Sequence, residues 1–374
     1  MANPQKRSWA EISLGNIEHN YRSIRSRLSP SCRFMGVVKA NAYGHGAVEV
    51  SGLLEKLGCE YLGVATFDEA KELRDADIGL PILILGYTPP CLAPELVRMD
   101  ITQTVADLET AREMSGVLSG GRLKIHIKLE TGMGRIGFPC ASSKNLEELL
   151  ELLALPCFEA EGVFTHFAVS DVFGDSFTRE QFKRFTETVN QLEKASGHAF
   201  IIKHCANSGA VINYLETHLD MVRPGLALYG MYPGPEKGSL DLRPAMSLKT
   251  RVAAVYEHAP GDTISYGRTF TVDKDMRVAV LPIGYADGLH RVASNKIDVL
   301  IRGKRARQLG RICMDMCMVD VTDIPDCRPG DVATIFGRNE DACLPVEELA
   351  EKSGTINYEI VCSPSRRIPR IYVD

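Results

Sequence analysis

The chain has 374 residues, 45% of them hydrophobic and 24% charged, with a formal net charge of −5. That length exceeds one ordinary core and fits about two domains of average soluble composition. No block of one charge sign is present to draw nucleic acid or an anionic membrane surface, and no apolar run approaches the ~20 residues a spanning helix needs.

The opening segment MANPQKRSWAEISLGN lacks the apolar stretch of an export signal. Eleven cysteines, an odd number without a CxxC pair, read as reduced thiols and not as a disulfide framework. A cytoplasmic protein is the expectation, with no membrane or nucleic-acid partner.

Through about residue 230, short apolar segments alternate with longer helical ones. The predicted strands are RFMGVVKA (33–40), YLGVATF (61–67), PILILG (81–86), ITQTVA (101–106), LKIHIKLE (123–130), FEAEGVFTHF (158–167), FIIKHCA (200–206) and MVRPGLALYG (221–230). Predicted helices between them include FDEAKELRDA, NLEELLELLA and TREQFKRFTETVNQLEKAS. In the second, Leu146, Leu149, Leu150, Leu152 and Leu153 form an apolar stripe. Eight strands alternating with helices predict a parallel sheet covered by helices, and eight is the number that closes into a (β/α)8 barrel. A doubly wound open sheet is the competing architecture.

The pattern changes at RPAMSLKT (243–250). Beyond it, SLKTRVAAVYEHA, RVAVLPIGYA, KIDVLIRG, RICMDMCMVDVTD, VATIFG and YEIVCSPS read as strands, and only PVEELAEKSG as a helix. The expectation is an α/β chain: a barrel over residues 1–240, then a mostly antiparallel β domain over 241–374.

Unusual polar residues fall at the C-terminal ends of the barrel strands, where barrel enzymes build their sites. Lys39 closes the first strand, Lys128 lies in the fifth, and Arg135 follows in TGMGRIG. His166 ends the sixth; His204, Asn207 and Ser208 end the seventh; Arg223 and Gly225 belong to the eighth. A lysine pointing into a low-dielectric site is costly unless neutralised, and a Schiff base with an aldehyde cofactor neutralises it. The same lysine can equally snorkel to solvent. Ser208, Gly209, Gly225 and Leu226 can supply the donors of a phosphate site at helix N-termini, or simply an Asn-Ser cap and a Pro-Gly turn. GRICMDMCMVDV (310–321) reads as an alternating strand with Cys313, Asp315 and Cys317 on one face. SYGRTF (265–270), with Tyr266, reads as a turn, and no ligand set for a metal is completed.

Taken together, VVKANAYGHG, KLETGMGRIG, HCANSGA, VRPGLALYG, SYG, GYADG, GRICMDM and TINYE resemble the alanine racemase family over nearly the whole chain. The resemblance implies a fold-type III enzyme using pyridoxal 5′-phosphate to interconvert L- and D-alanine, supplying D-alanine for the cell wall. It implies that Lys39 holds the cofactor and is one base. Tyr266 of the other subunit of a homodimer is the second. It places Arg223 at the pyridine nitrogen, His166 along the ring, and Tyr43, Asn207, Ser208, Gly225, Leu226 and Tyr358 around the cofactor and its phosphate. Arg135 matches an arginine at the substrate side, and Lys128 the position of a carbamylated lysine that orients it. Tyr285, Met314 and Asp315 match partner-subunit residues lining the substrate entrance.

Two bases on opposite faces exchange an α-proton without rotating the intermediate. Their free pKa values of about 10 must be lowered by cationic neighbours and desolvation. An arginine facing the pyridine nitrogen keeps its own proton and weakens the ring as an electron sink. Glu130 stands where aspartate is usual in the family, Met316 where glutamine is common, and Leu289-His290 where an aromatic-containing pair is frequent. The alternatives are a racemase of another amino acid such as serine or lysine, an amino-acid decarboxylase on the same barrel, or a pyridoxal phosphate carrier that ends with the barrel.

Overall fold

A computed structural model describes residues 6–140, 143–234 and 240–374. The chain forms two compact units, one built from residues 17–42 and 47–243, the other from residues up to 16, 43–46 and 244–374.

The first unit is a closed parallel barrel. Its strands are β2 (Arg33–Val37), β3 (Tyr61–Val64), β4 (Ile82–Ile84), β5 (Ile101–Val105), β6 (Leu123–Glu130), β7 (Phe158–Phe164), β8 (Ile202–His204) and β9 (Met221–Val222); β1 (Ser8–Ser13) belongs to the other unit. They pair in sequence order, all parallel, and β9 returns to β2 with Met221 opposite Arg33. Asp220 N donates to Lys203 O (3.1 Å) and Arg223 N to Ala206 O (2.9 Å), which joins the last two strand segments. Closure settles the choice against an open sheet.

The interior is apolar where Met35, Tyr61, Leu83, Ile202 and Met221 pack. Most strands stop two or three residues before their predicted C-terminal ends, where the chain turns into loops at the barrel mouth. The eighth predicted strand is reduced to Met221–Val222, and Leu226–Tyr229 is a 3-10 turn instead. Pro224 and Gly225 interrupt the ladder, since proline has no N–H to donate. Helices start where the sequence supplies a cap: Thr66, Asp107 and Asp175 accept from the amides of Glu69, Thr110 and Phe177.

The second unit is built on one long sheet in which all pairs but one are antiparallel. β1 (Ser8–Ser13) pairs antiparallel with Met246–Arg251 and parallel with Arg370–Val373. The sheet then runs through Val332–Asn339, Asp298–Ile301, Lys304–Leu309, Cys317–Asp320, Met276–Leu281 and Ala254–His258. The opening segment WAEIS, not foreseen as a strand, therefore belongs to the β-rich unit and not to the barrel.

Two predicted strands are corrected. In 310–321 only Cys317–Asp320 is a strand, because Cys313 N turns back to Met316 O (2.9 Å). YEIVCSPS is mainly a helix, Asn357–Cys362. Its β-branched run suggested a strand, but Gly44 approaches so closely that an added Cβ would lie 2.2 Å from Val361 O. Local propensity yields to such packing.

Candidate active site

Lys39 leaves β2 into an unusual turn. Ala40, Asn41, Ala42 and Tyr43 all have φ between 52° and 54°, followed by Gly44 at 83°. Left-handed backbone costs L-residues roughly 1–2 kcal/mol each and persists only where the surroundings over-determine it. Ala42 N donates to Val38 O (2.7 Å), and the Asn41 side chain accepts from Ala47 N (2.8 Å) at the start of the next helix. Lys39 itself is half-buried.

Arg223, from the end of β9, is buried in the barrel mouth at 3% exposure. Its Nη2 donates to Thr165 O (2.8 Å) and Cys205 O (3.2 Å), and Nη1 to His204 Nδ1 (2.9 Å). An arginine only donates, so His204 carries its proton on Nε2 and passes it to His126 Nδ1 (2.8 Å). His126 must then be protonated on Nε2, which is buried and has no partner among the described residues. Burial and Arg223 hold both imidazoles neutral, with His126 pushed down to about 3 and His204 well below its usual value.

The chain His126–His204–Arg223 therefore orients the guanidinium without a countercharge. Burial lowers Arg223 only to about 10, so it stays protonated at pH 7. Its Nε makes no hydrogen bond among the described residues.

The sequence reading noted His204 but missed His126, although alternation in LKIHIKLE puts it on the same inward face as Lys128. The ring fits because residue 162 is glycine: a Cβ there would stand 2.6–2.7 Å from three imidazole atoms. Gly162→Ala should destabilise the barrel by about 1–3 kcal/mol. The midpoint of urea unfolding would fall accordingly, and an unchanged midpoint would mean the ring has room to move.

His166, at the end of β7, lies well below its usual pKa through burial and then the nearby charges of Arg223, Arg135, Lys128 and Lys39. Four cationic side chains thus act on one neutral imidazole. Glu130 answers them partly: burial raises its pKa, but the amides of Gly132, Gly134 and Arg135 hold it below the usual range. Lys128 is 2% exposed. Its ammonium donates to Leu129 O (2.7 Å) and lies 5.6 Å from the Phe164 ring centroid. Burial pulls its pKa down to about 8, against the pull of Glu130 and with help from Arg223 and Arg135. A mouth so rich in positive charge suits an anionic ligand.

Ser208 begins the helix Ser208–Asn213, and its Oγ accepts from Gly225 N (2.9 Å) and Ala227 N (3.2 Å). Neither bond uses the hydroxyl proton, and Leu226 opens the adjoining 3-10 turn. Gly225 N is thereby committed to the scaffold. Asn207 caps the helix through Ala210 N (3.1 Å) and accepts from Ser170 Oγ (2.6 Å). Part of this cluster is thus cap and part is available for a ligand.

The remaining predicted residues lie in the β-rich unit. Tyr43 and Tyr358 face each other with ring centroids 6.1 Å apart, and burial raises the Tyr43 phenol. Tyr266 follows Ser265, whose φ of 66° is held by its Oγ bond to Arg311 O (2.5 Å). Tyr285 N and Ala286 N donate to Cys313 O (3.1 Å) and Met314 O (3.0 Å), so those loops interlock. Asp315 pairs with Arg367 (2.6 Å), which also reaches the buried Asp287 (3.5 Å). Tyr266 is 69% exposed, Tyr285 42% and Met314 52%.

Comparison with known proteins matches residues 12–233 to the alanine racemase N-terminal domain and 245–372 to the alanine racemase C-terminal domain. The chain is 47% identical over 369 residues to the alanine racemase of Desulforamulus reducens, covering 98% of each. It superposes on the alanine racemase of Clostridium difficile 630 in complex with cycloserine with a TM-score of 0.92 at 39% identity, covering 99% of this chain and 96% of that one. On the Bacillus anthracis alanine racemase with bound L-Ala-P the TM-score is 0.93 at 36% identity, covering 99% and 95%. Family models spanning both halves, with relatives of this identity over nearly full length, establish that this chain is an amino-acid racemase belonging to the alanine racemase family.

Proposed function

We propose that the protein interconverts L- and D-alanine with pyridoxal 5′-phosphate, in a homodimer whose sites are shared. The observation that carries the reading is the buried Arg223, oriented by two neutral imidazoles, with its Nε unspent beside a mouth lined by Lys39, Lys128 and Arg135. The residues fit the cofactor: a lone Nε donor suits a ring nitrogen, and the Ser208 hydroxyl, whose proton neither of its two bonds uses, suits a phosphate together with the Leu226 N–H. In this reading Gly225 fixes that cradle, Asn207 caps it, Tyr43 and Tyr358 serve the phosphate, and Lys39 makes the covalent link. Bound there, the cofactor supplies an electron sink that acidifies the substrate's α-proton.

The protein's own groups do the rest. The Lys39 amine takes or returns a proton at one face of the α-carbon, and Tyr266 of the partner subunit at the other. Arg223 stays charged and withholds a proton from the ring nitrogen, which limits delivery of the α-proton to a wrong atom. His166, kept neutral, packs along the ring. Arg135 meets the substrate side, and Tyr285, Met314 and Asp315 of the partner line its entrance. The barrel part of residues 1–240, joined by Tyr358, holds the cofactor, and within residues 241–374 Tyr266, Tyr285, Met314 and Asp315 serve the neighbouring subunit's site. The large exposure of Tyr266, Tyr285 and Met314 supports this division, since apolar patches of this kind mark contact surfaces. A cytoplasmic supply of D-alanine for the cell wall is the role proposed. No helix among the described residues is long and apolar enough to cross a membrane. The test is uptake of solvent deuterium at the α-carbon of each alanine enantiomer. Binding of the cofactor without exchange from either would refute the reading.

Lys128 is proposed to carry a carboxylate from carbon dioxide, for which a neutral amine is the reactive form. With the folded pKa near 8 and an unfolded value of 10.5, burial of the ammonium costs up to about 3 kcal/mol below pH 8. Without carbon dioxide, stability should therefore rise as pH increases from about 8 to 10.5. Carbon dioxide should flatten that slope and add one carboxylate to the intact mass. A slope indifferent to carbon dioxide would leave Lys128 a plain lysine.

A further inference from the structure

Glu69 stands at the third position of the helix Phe67–Asp75, behind its capping residue Thr66. A glutamate there ordinarily reaches back to the amide of its own cap. Here the carboxylate divides its oxygens elsewhere: Oε1 accepts from Ala40 N (2.7 Å) and Oε2 from Ala65 N (2.7 Å). Ala65 directly follows β3, and Ala40 directly follows Lys39 beyond the end of β2. One side chain thus staples the exits of two neighbouring strands. The peptide plane it holds on the first side is the one joining Lys39 to Ala40.

We infer that Glu69 is a positioning residue, whose two backbone bonds hold the left-handed turn and so fix the direction in which Lys39 is presented. The inference rests on the reading of Lys39 as the reacting lysine. Ala40 lies where an alanine backbone does not settle unaided, with φ 52° and ψ 48°. Its N–H donates to a charged group able to receive two donors at once. A glutamine of the same size offers one acceptor oxygen and one NH2, so one of the two backbone amides would face a donor. The turn should then relax although the helix and its cap are intact.

The control lies next to it in sequence. Thr66→Ala removes the cap of the same helix, whose Oγ1 accepts from Glu69 N at 3.3 Å, and leaves the carboxylate in place. Amide hydrogen exchange of the cofactor-free protein, read by mass spectrometry on a peptide spanning residues 38–44, comes first. Glu69→Gln should exchange there at least tenfold faster than native protein, and Thr66→Ala should not. With the cofactor bound, Glu69→Gln should lower kcat tenfold or more in both directions, leave KM for alanine within about twofold, and displace the pH midpoint of the bound cofactor's visible absorption. Thr66→Ala should lower thermal stability without these changes.

Native exchange and a native pH midpoint in Glu69→Gln would overturn the inference, as would the same phenotype in Thr66→Ala. Glu69→Ala provides a second variant if the glutamine fails to fold. Lys39→Ala, measured alongside, separates the two levels: a Lys39→Ala protein that keeps its activity refutes the role of Lys39 itself. Loss in Lys39→Ala with native behaviour in Glu69→Gln refutes only the positioning role.

Discussion

Tyr266→Phe should lower racemisation by about 10²–10⁴-fold in both directions, the usual contribution of a positioned acid or base. It should nevertheless leave one enantiomer exchanging its α-proton with solvent within about tenfold of the native rate. The two measurements separate because racemisation needs a base on each face, whereas washout from one enantiomer needs only the base on its own face. Tyr266 is exposed, and its 3-10 turn Tyr266–Arg268 begins at Ser265, whose hydroxyl donates to Arg311 O. Lys39→Ala should remove exchange from both enantiomers, since the same amine is proposed to hold the cofactor. Added methylamine should restore exchange preferentially from the enantiomer that Tyr266→Phe spares least, because Tyr266 is the base then remaining. Equal losses from both enantiomers in Tyr266→Phe would point to a single base.

The second large effect concerns assembly. Lys39→Ala and Tyr266→Phe proteins, each nearly inactive, should regain about one quarter of native activity when mixed in equal amounts and allowed to exchange subunits. Random pairing makes about half of the dimers hybrids, and each hybrid holds one site with both bases and one with neither. The activity should appear at the rate of subunit exchange and vanish if the dimers are cross-linked before mixing. Proven exchange without recovery would place both bases of each site on one chain.

Much of the architecture is legible in the sequence. The barrel strands were readable because a parallel sheet buried on both faces writes itself as short, continuous apolar runs. LKIHIKLE and ITQTVA lie within a residue of the observed β6 and β5. The placement of Lys39, Lys128, His166, His204 and Arg223 at one end followed from strand direction alone. The β-rich half was harder. RICMDM alternates like a strand, yet Gly284 lets the backbone of Cys313 and Met314 fold against it, leaving 2.3–2.4 Å to where a Cβ would be. YEIVC has the side chains of a strand but takes up a helix against Gly44.

By itself, then, the sequence determined the barrel, the family and the set of polar residues that gather at the strand ends. Apolar period and short motifs are local properties that survive without knowledge of neighbours. Tertiary structure decided how those residues are held. It set the tautomers of His126 and His204, because their protons are fixed by a chain that begins at Arg223, in sequence far from both. It brought the buried Lys128 ammonium down to about 8 through desolvation, which depends on what surrounds a group and not on its name. It also sent the Glu69 carboxylate past its own cap to the peptide after Lys39, since only the pairing of β2 with β3 brings their exits within reach of one side chain.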